Sequence, residues 1–225
     1  MISFQYDRLC GSQTLQTTHS GISAKITLPS NIIVGSSPIN GVKNDDYVNF
    51  YMIYNEEIEG GISWTPYAED GKSGFRIFLN TGAFEGGDAL YWRSKNISDL
   101  GLSFGFGSTV TLTLVPTQSG KHSQLWVNGK MIWDLPNYRT QPITALVAYT
   151  HGCKDQYGYV QHNTATWSQT ELLRNGVWVS WVGTDWGYGT YRKNDGAYGI
   201  YQPHPMSAYL SKPNGPDPAG DGIGV

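Results

Sequence analysis

Apolar and polar side chains alternate along much of the chain, and turn-forming residues break the alternation about every 8 to 12 positions. The segment 109–115, TVTLTLV, places three threonines on one face and three apolar residues on the other. The segment 22–28, ISAKITL, alternates in the same way and ends before Pro29, which has no backbone N–H to donate to a strand ladder. A period of two residues is typical of antiparallel strands that rest one face on a core.

Further strands are predicted at 47–54, 75–80 and 143–150, which are apolar segments of strand length. Hairpins are predicted at Asn128-Gly129 and at Asn175-Gly176, because each pair separates two apolar runs and Asn-Gly favours the type I′ turn. No segment has the pattern of a long amphipathic helix, and a single helical turn is expected within 94–102. The pattern therefore predicts an all-β fold, an antiparallel sandwich or barrel.

The composition supports this prediction. The chain has 225 residues, of which 28 are Gly, 13% are aromatic and 15% are charged. The charged fraction is well below the roughly 25% of an average domain. Neither a linker nor a repeat of fixed period is visible, so we expect one sandwich domain at 1–210 and an irregular tail, rich in Pro and Gly, at 211–225.

Charge and cysteine usage exclude several classes of function. The formal net charge is −3 and no run of Lys and Arg occurs, so we expect no nucleic-acid partner. No apolar run approaches the roughly 20 residues of a membrane helix, so no membrane insertion is expected. The N-terminal segment lacks the pattern of a signal peptide, and localisation is left open, with an extracellular or virion-surface role among the alternatives. Cys10 and Cys153 are expected to form either one disulfide or two free thiols.

One segment resembles a known family. Residues 107–135, GSTVTLTLVPTQSGKHSQLWVNGKMIWDL, resemble a hairpin of the concanavalin A-like lectin/glucanase superfamily, particularly its laminin G-like members. There an alternating strand, a polar loop and an L-x-V-N-G-K hairpin follow in this order. The resemblance implies a jelly roll of two curved sheets and sugars as a common ligand class. It does not imply catalysis, because the Glu-x-Asp-x-x-Glu motif of the glucanase branch is absent from the sequence.

The stretch 177–205 is the main candidate for ligand binding. Beyond Gly183 its strand-like alternation fails, and a long glycine-rich loop with many rings is predicted. Sugars present flat C–H faces and a rim of hydroxyls, so a sugar site needs aromatic rings for stacking and polar side chains beside them. The ligand-binding residues predicted here are Trp181, Asp185, Trp186, Tyr188, Tyr191, Arg192, Asn194, Asp195 and Tyr198. The alternative is that these rings pack the end of the sandwich or form a contact between subunits.

Trp64 and Trp92 are predicted as further ligand-binding residues, since each lies beside acidic residues and glycines. Glu57 and Glu59 are weaker, catalytic candidates. On one strand face their carboxyls would be about 6 to 7 Å apart, near the lower limit for an inverting glycosidase pair. The alternative for both is a solvated position at a hairpin tip.

The sequence gives weaker signals for a metal site and for a second kind of catalytic site. Asp45, Asp46 and Asp88 offer oxygen ligands that suit Ca²⁺, but no spacing matches a calcium loop, so no cofactor is required and calcium is left open. Tyr159 and Gln161 share an alternating face, as a proton-accepting Tyr and its partner would in a polysaccharide lyase. They equally fit the polar face of an ordinary strand.

The sequence therefore predicts a lectin-like module that binds an oligo- or polysaccharide without cleaving it. The enzyme alternative is a polysaccharide-cleaving enzyme, or a hydrolase like the glutamic peptidases. The segment 180–186, SWVGTDW, is similar to a strand of those peptidases, although their catalytic Gln and Glu do not follow it. A third alternative is a virion or appendage domain that assembles as a homo-oligomer.

Overall fold

The computed structural model describes residues 7–14, 19–34, 47–55, 57–66, 70–82, 90–154, 160–182, 191–192, 201–203 and 207–212. Within them the chain forms strands and two short 3₁₀ turns, with no α-helix. The first eight strands are β1 (Asp7–Gln13), β2 (Ile22–Thr27), β3 (Ile32–Val34), β4 (Tyr47–Tyr54), β5 (Ile58–Thr65), β6 (Gly74–Asn80), β7 (Trp92–Asn96) and β8 (Thr109–Thr117). The others are β9 (His122–Val127), β10 (Lys130–Pro136), β11 (Val147–Lys154), β12 (Val160–Arg174), β13 (Val177–Ser180), β14 (Tyr191–Arg192), β15 (Tyr201–Pro203) and β16 (Ser207–Lys212).

The strands build two antiparallel sheets that pack face to face. The seven-stranded sheet has the order β14-β1-β11-β4-β5-β6-β7. The nine-stranded sheet has the order β10-β9-β8-β2-β12-β16-β15, and β3 and β13 also pair with β12. Across the interface β4 lies over β2 and β8, and β5 lies over β9. This is the antiparallel β-sandwich of jelly-roll type that the sequence predicts.

The core lies between the sheets and follows the alternation of the strands. In β8 the residues Val110, Leu112 and Leu114 are fully buried, while the threonines between them are not. Trp167 and Trp181 are the largest fully buried side chains, and each packs its ring against that of Tyr149, with centroids 5.2 and 5.5 Å apart. Rings of this size bury more apolar area than aliphatic side chains, so they dominate this part of the core.

Both predicted hairpins are confirmed. Asn128 and Gly129 have φ values of 50° and 75°, and Asn175 and Gly176 have 51° and 78°, as a type I′ turn requires. The predicted helical turn is a 3₁₀ turn at Ile97–Leu100, whose first turn is capped by the Asn96 side chain. The ladders β9–β10 and β12–β13 close on these two turns.

Three strand boundaries differ from the prediction. The segment 143–150 becomes a strand only from Val147, because residues before it cross between the sheets and pair only at Ala145 with His19. Strand β16 continues to Lys212, beyond the predicted domain end at residue 210. A two-residue strand, β14, lies inside the predicted loop after Gly183. In the described part of the chain no helix is long and apolar enough to span a membrane.

Candidate functional site

The outer face of the seven-stranded sheet, on the side away from the core, carries a row of aromatic rings. The Tyr51 and Phe78 rings lie 5.9 Å apart, and the Phe78 and Trp92 rings lie 5.8 Å apart. Tyr51 and Phe78 are buried, whereas the Trp92 side chain is 38% exposed. An outward sheet face normally carries polar groups, so three rings across four strands need an explanation beyond the packing of the core.

Gly61 makes room for this row. It stands between Tyr51 and Phe78 in the strand register. A Cβ on Gly61 would press against the Phe50 carbonyl oxygen and lie 2.6 Å from the Tyr51 Cα. Only glycine fits this close approach of two backbones.

Next to the rings, three side chains of different chemistry line up across neighbouring strands. Glu59 of β5 pairs in register with Asn80 of β6, and Asn80 pairs with Trp92 of β7. Residues directly opposite one another in a sheet have Cβ atoms about 5 Å apart. The face therefore brings together a carboxylate, an amide and an exposed indole ring.

The Asn80 amide is held in one orientation. Its Oδ1 accepts a hydrogen bond of 3.1 Å from the Gly82 backbone N–H. Its Nδ2 has no hydrogen-bond partner among the described residues and is therefore the end that remains to donate. The residue is 6% exposed, so this donor is largely withdrawn from water.

Arg76 fixes the strand that carries Trp92. Its guanidinium donates to both oxygens of Asp70, at 3.0 and 2.9 Å, and to the side chain and carbonyl of Ser94 on β7, at 3.1 and 3.3 Å. Burial opposes ionisation of Asp70, but hydrogen bonds from the Lys72 backbone and from Arg76 lower the pKa of its carboxyl. Arg76 thereby ties β6, β7 and the preceding loop into one rigid support.

This arrangement has the chemistry of a sugar site. An indole ring backed by Phe78 offers its remaining face for stacking on the C–H face of a pyranose. An amide donor and a carboxylate acceptor lie beside it, and sugar hydroxyls need both. The supporting residues Tyr51, Phe78, Asn80 and Arg76 were not predicted. For Tyr51, Phe78 and Arg76 the signal in the sequence is a ring or a charge at a strand position with apolar neighbours on both sides, whereas Asn80, between Leu79 and Thr81, gives no such signal.

The predicted site residues are scattered by the structure. Trp181 is completely buried against Tyr149, so the prediction that it stacks on a ligand is corrected: it shares the core-facing side of its strand with Val179. Trp64 also faces the core side of its sheet, where it packs beside Phe106, and it does not join Trp92.

The predicted carboxylate pair does not form on one strand face. Strand β5 begins at Ile58, and Glu57 stands in the turn before it, where its carboxylate accepts a 2.7 Å hydrogen bond from the Gln141 amide. The physical reason is the hairpin turn, which closes at Asn55 with a φ of 53°. Glu59 alone lies on the outer face, beside Asn80.

The other predicted residues give no test of their roles. Tyr191 and Arg192 form β14 and pair with Gly11 and Cys10 at the edge of the seven-stranded sheet. Gln161 pairs with Ile33 at the start of β12. The remaining predicted residues lie outside the described residues: Tyr159, Asp185, Trp186, Tyr188, Asn194, Asp195 and Tyr198.

Calcium binding also stays a prediction. Asp45, Asp46 and Asp88 lie outside the described residues. Within the described residues, no group of three or more His, Cys, Asp or Glu side chains could hold a metal ion.

Comparison with solved structures finds lectins and glucanases of low similarity. CG-16, a homodimeric agglutinin from chicken liver, has 10% identity and a TM-score of 0.37, over 70% of this chain and 99% of the agglutinin. A tetrameric galectin from the ball sponge Cinachyrella sp. has 12% identity and a TM-score of 0.42, over 73% of this chain and 98% of the galectin. A family 16 glycoside hydrolase, an endo-glucanase from Bacteroides ovatus, has 11% identity and a TM-score of 0.36, over 65% of this chain and 66% of the enzyme.

Galectins and family 16 glucanases are both concanavalin A-like jelly rolls, the superfamily that residues 107–135 resemble. No protein-family model matches the chain, and no characterised protein matches it by sequence. Because the TM-scores lie below 0.5, no residue of this chain takes a role from these proteins.

Proposed function

We propose that this protein binds carbohydrate on the outer face of its seven-stranded sheet. Trp92 stacks on the apolar face of a pyranose ring. Asn80 donates from its Nδ2 to a ring hydroxyl, and Glu59 accepts from a neighbouring hydroxyl. Arg76 touches no sugar and positions β7 through Ser94.

The observation that carries the proposal is the register row Glu59–Asn80–Trp92. Exposed aromatic residues are common on protein surfaces singly, but here the ring is backed by Phe78 and stands beside an amide whose Nδ2 has no partner in the described part of the chain. A preorganised ring and donor lose little conformational freedom when a ligand arrives, which favours binding.

The carboxylates of this face support sugar binding without cleavage, because they are not arranged as the catalytic pair of a glycoside hydrolase. Glycoside hydrolysis uses two carboxyl groups, one on each side of the scissile bond. Among the described residues, Asp70 is engaged by Arg76 through both oxygens. The Glu57 carboxylate lies beside Gly82, but it stands in the turn before β5 and accepts a hydrogen bond from Gln141, so it forms no pair with Glu59 on one strand face.

The residues beyond Gly183 that the sequence predicts to bind a ligand are proposed to contact the same glycan. Tyr191 belongs to the same sheet as Trp92, at its opposite edge, so the proposal extends to a ligand long enough to cross the face. A homo-oligomer, which would present several such faces at once, also remains a prediction. Light scattering on the purified chain measures that state directly.

A glycan array tests the proposal. Wild type and the Trp92→Ala variant are applied to printed oligosaccharides, with Phe106→Ala as the control, since Phe106 is an exposed ring at 46% that packs beside Trp64 and Phe75, on the core side of the sheet. We expect binding by wild type and the control, and the loss in Trp92→Ala of a set of spots that the control keeps. Equal binding by all three proteins, or release of reducing ends from the bound sugars, contradicts the proposal.

A further inference from the structure

The outer face of the nine-stranded sheet carries a groove of about 550 Å³. Two tryptophans line it, Trp126 of β9 and Trp178 of β13. Trp178 is 37% exposed and Trp126 is half-buried. This groove lies on the sheet opposite to Trp92, so it is separate from the site proposed above.

The groove runs across several strands. Between β9 and β13 lie β8, β2 and β12, and a strand spacing of about 4.8 Å places the two outer strands at most about 19 Å apart. Gly21 stands between the lining residues Val115 and Leu173. A Cβ on Gly21 would lie 2.6 Å from Val115 Cγ1, so the Val115 side chain occupies the space beside this glycine. The width suits a chain of sugar units better than a single ring.

A chain of hydrogen bonds fixes the Trp126 ring. Its indole N–H donates to Gln124 Oε1 at 3.1 Å, and Gln124 Nε2 donates to Asp134 Oδ2 at 2.7 Å. An indole nitrogen can only donate and a carboxylate can only accept, so the Gln124 amide has one allowed orientation. His122 holds the other Asp134 oxygen, at 2.7 Å. The ring is therefore preorganised at the wall of the groove.

A second, polar hollow of about 290 Å³ adjoins the groove. Thr111 and Ser180 line it, each two residues along its strand from Thr113 and Trp178 of the groove. Residues two apart on a strand share a face and lie about 7 Å apart, so the two spaces are neighbours on one surface.

Strand β12 is irregular where it lines the hollow. Gln169 has a φ of 49° and marks a bulge in the strand. Beyond the bulge Glu171 faces outward into the hollow, whereas Thr170, with an exposure of 0%, shares the core side of the strand with Leu172. Strained backbone of this kind clusters at functional sites.

The charges in the hollow cancel. Lys25 and Glu171 both line it, and neither makes an ion pair or hydrogen bond within the described residues. One cation and one carboxylate disfavour a strongly charged ligand and can bond two adjacent hydroxyls, one accepting and one donating.

We propose that this face is a second glycan site, which takes a neutral oligosaccharide of two or more units. One unit stacks on a tryptophan of the groove, and the hydroxyls of the next unit enter the hollow at Lys25 and Glu171. With Trp92 on the other sheet, a single chain then holds two glycans and links them without forming an oligomer.

The test uses printed neutral, uronic-acid and amino-sugar oligosaccharides of one to six units. Wild type is compared with Trp178→Ala, with Trp92→Ala and with the double variant. Val177→Ala is the matched control, because Val177 is an exposed residue of the same hairpin, at 59%. Matching thermal unfolding of the Trp178→Ala and Val177→Ala variants shows that the hairpin is intact.

We expect Trp178→Ala to lose a set of neutral spots that Trp92→Ala retains, with an affinity loss of roughly 10-fold or more. The Lys25→Met and Glu171→Gln variants should keep binding of single units and lose the gain with length. The second site is overturned if Trp178→Ala binds every spot like Val177→Ala, or if uronic acids bind this face best. If Trp92→Ala loses all binding and Trp178→Ala loses none, the second site is overturned and the first is supported. If Trp178→Ala loses all binding and Trp92→Ala loses none, the first site is overturned and the second is supported.

Discussion

Asn80 and Trp92 are register partners across the β6–β7 ladder, on the side of the seven-stranded sheet that faces away from the core. The Gly82 N–H holds the amide oxygen of Asn80, and the Phe78 ring supports Trp92. An amide donor without a partner among the described residues and a backed aromatic ring therefore share one side of two adjacent strands.

Asn80→Asp should weaken glycan binding about 10-fold, which is the effect of one lost hydrogen bond to a desolvated ligand hydroxyl. The substitution keeps an acceptor for the Gly82 N–H and removes the Nδ2 donor. Titration calorimetry measures the affinity, and a melting temperature within a few degrees of wild type shows that the turn is intact. Unchanged affinity would remove Asn80 from the site.

Gly61→Ala should destabilise the fold by about 1 to 3 kcal/mol, as overpacking does, because the new methyl group meets the backbone of β4 at Phe50 and Tyr51. Gly105→Ala is the control, since a Cβ there has no atom within 4 Å and the residue has no positive φ. Urea unfolding measures both free energies. Equal unfolding free energies for the two variants would show that the β4 backbone moves to accommodate the extra methyl group at little cost.

Stability should fall as the solution becomes more acidic than the ordinary pKa of histidine, about 6.5. His151 is buried beside Phe50 and Trp167, and burial, with the nearby His162, lowers its pKa well below that value. Below pH 6.5 the unfolded chain binds a proton at this position and the folded chain does not, so the unfolding free energy falls by up to about 1.4 kcal/mol per pH unit. The loss ends only at the lower pKa of the folded state.

Urea unfolding from pH 8 to pH 5 measures this dependence. His151→Phe is the comparison, since it keeps a ring in the aromatic cluster and removes the titrating group. We expect a smaller slope below pH 6.5 in the variant. Parallel curves for the two proteins would assign the acid sensitivity to other groups.

The two cysteines should be free thiols. Strand pairing sets Cys10 opposite His151 and Cys153 opposite Arg8, so the cysteines are diagonal neighbours in the β1–β11 ladder. Diagonal positions lie about 7 to 8 Å apart, beyond the usual Cα separation of a disulfide, about 4.4 to 6.8 Å. Thiol titration in denaturant without reductant should count two per chain, and a count of zero would require a different register.

The sequence predicted the features that depend on local chemistry. The turns at Asn128-Gly129 and Asn175-Gly176 follow from two residues that tolerate positive φ, and the buried side of β8 follows from its alternation. Trp181 was misassigned although its strand neighbour Val179 faces the core. The alternation already places Trp181 on the same face as Val179, but the many rings beyond Gly183 favoured grouping Trp181 with the loop.

The pairing of Glu59, Asn80 and Trp92 was not available from the sequence. These residues come from three strands, and their alignment depends on register, which the packing of whole sheets decides. Arg76 likewise reads as an isolated charge among apolar residues until Asp70 and Ser94 are seen around it. The Glu57–Glu59 pair is lost for another reason: β5 begins only at Ile58, so Glu57 stands in the turn and not on the strand face.

Glycan binding at Trp92 is tested most directly by NMR. The indole N–H signals of the eight tryptophans are followed during titration with the glycan that binds best on the array. Trp→Phe variants assign the signals. We expect the Trp92 signal to shift and saturate with the ligand, while the signals of the buried Trp167 and Trp181 stay in place. Saturable binding that leaves the Trp92 signal unmoved would contradict it.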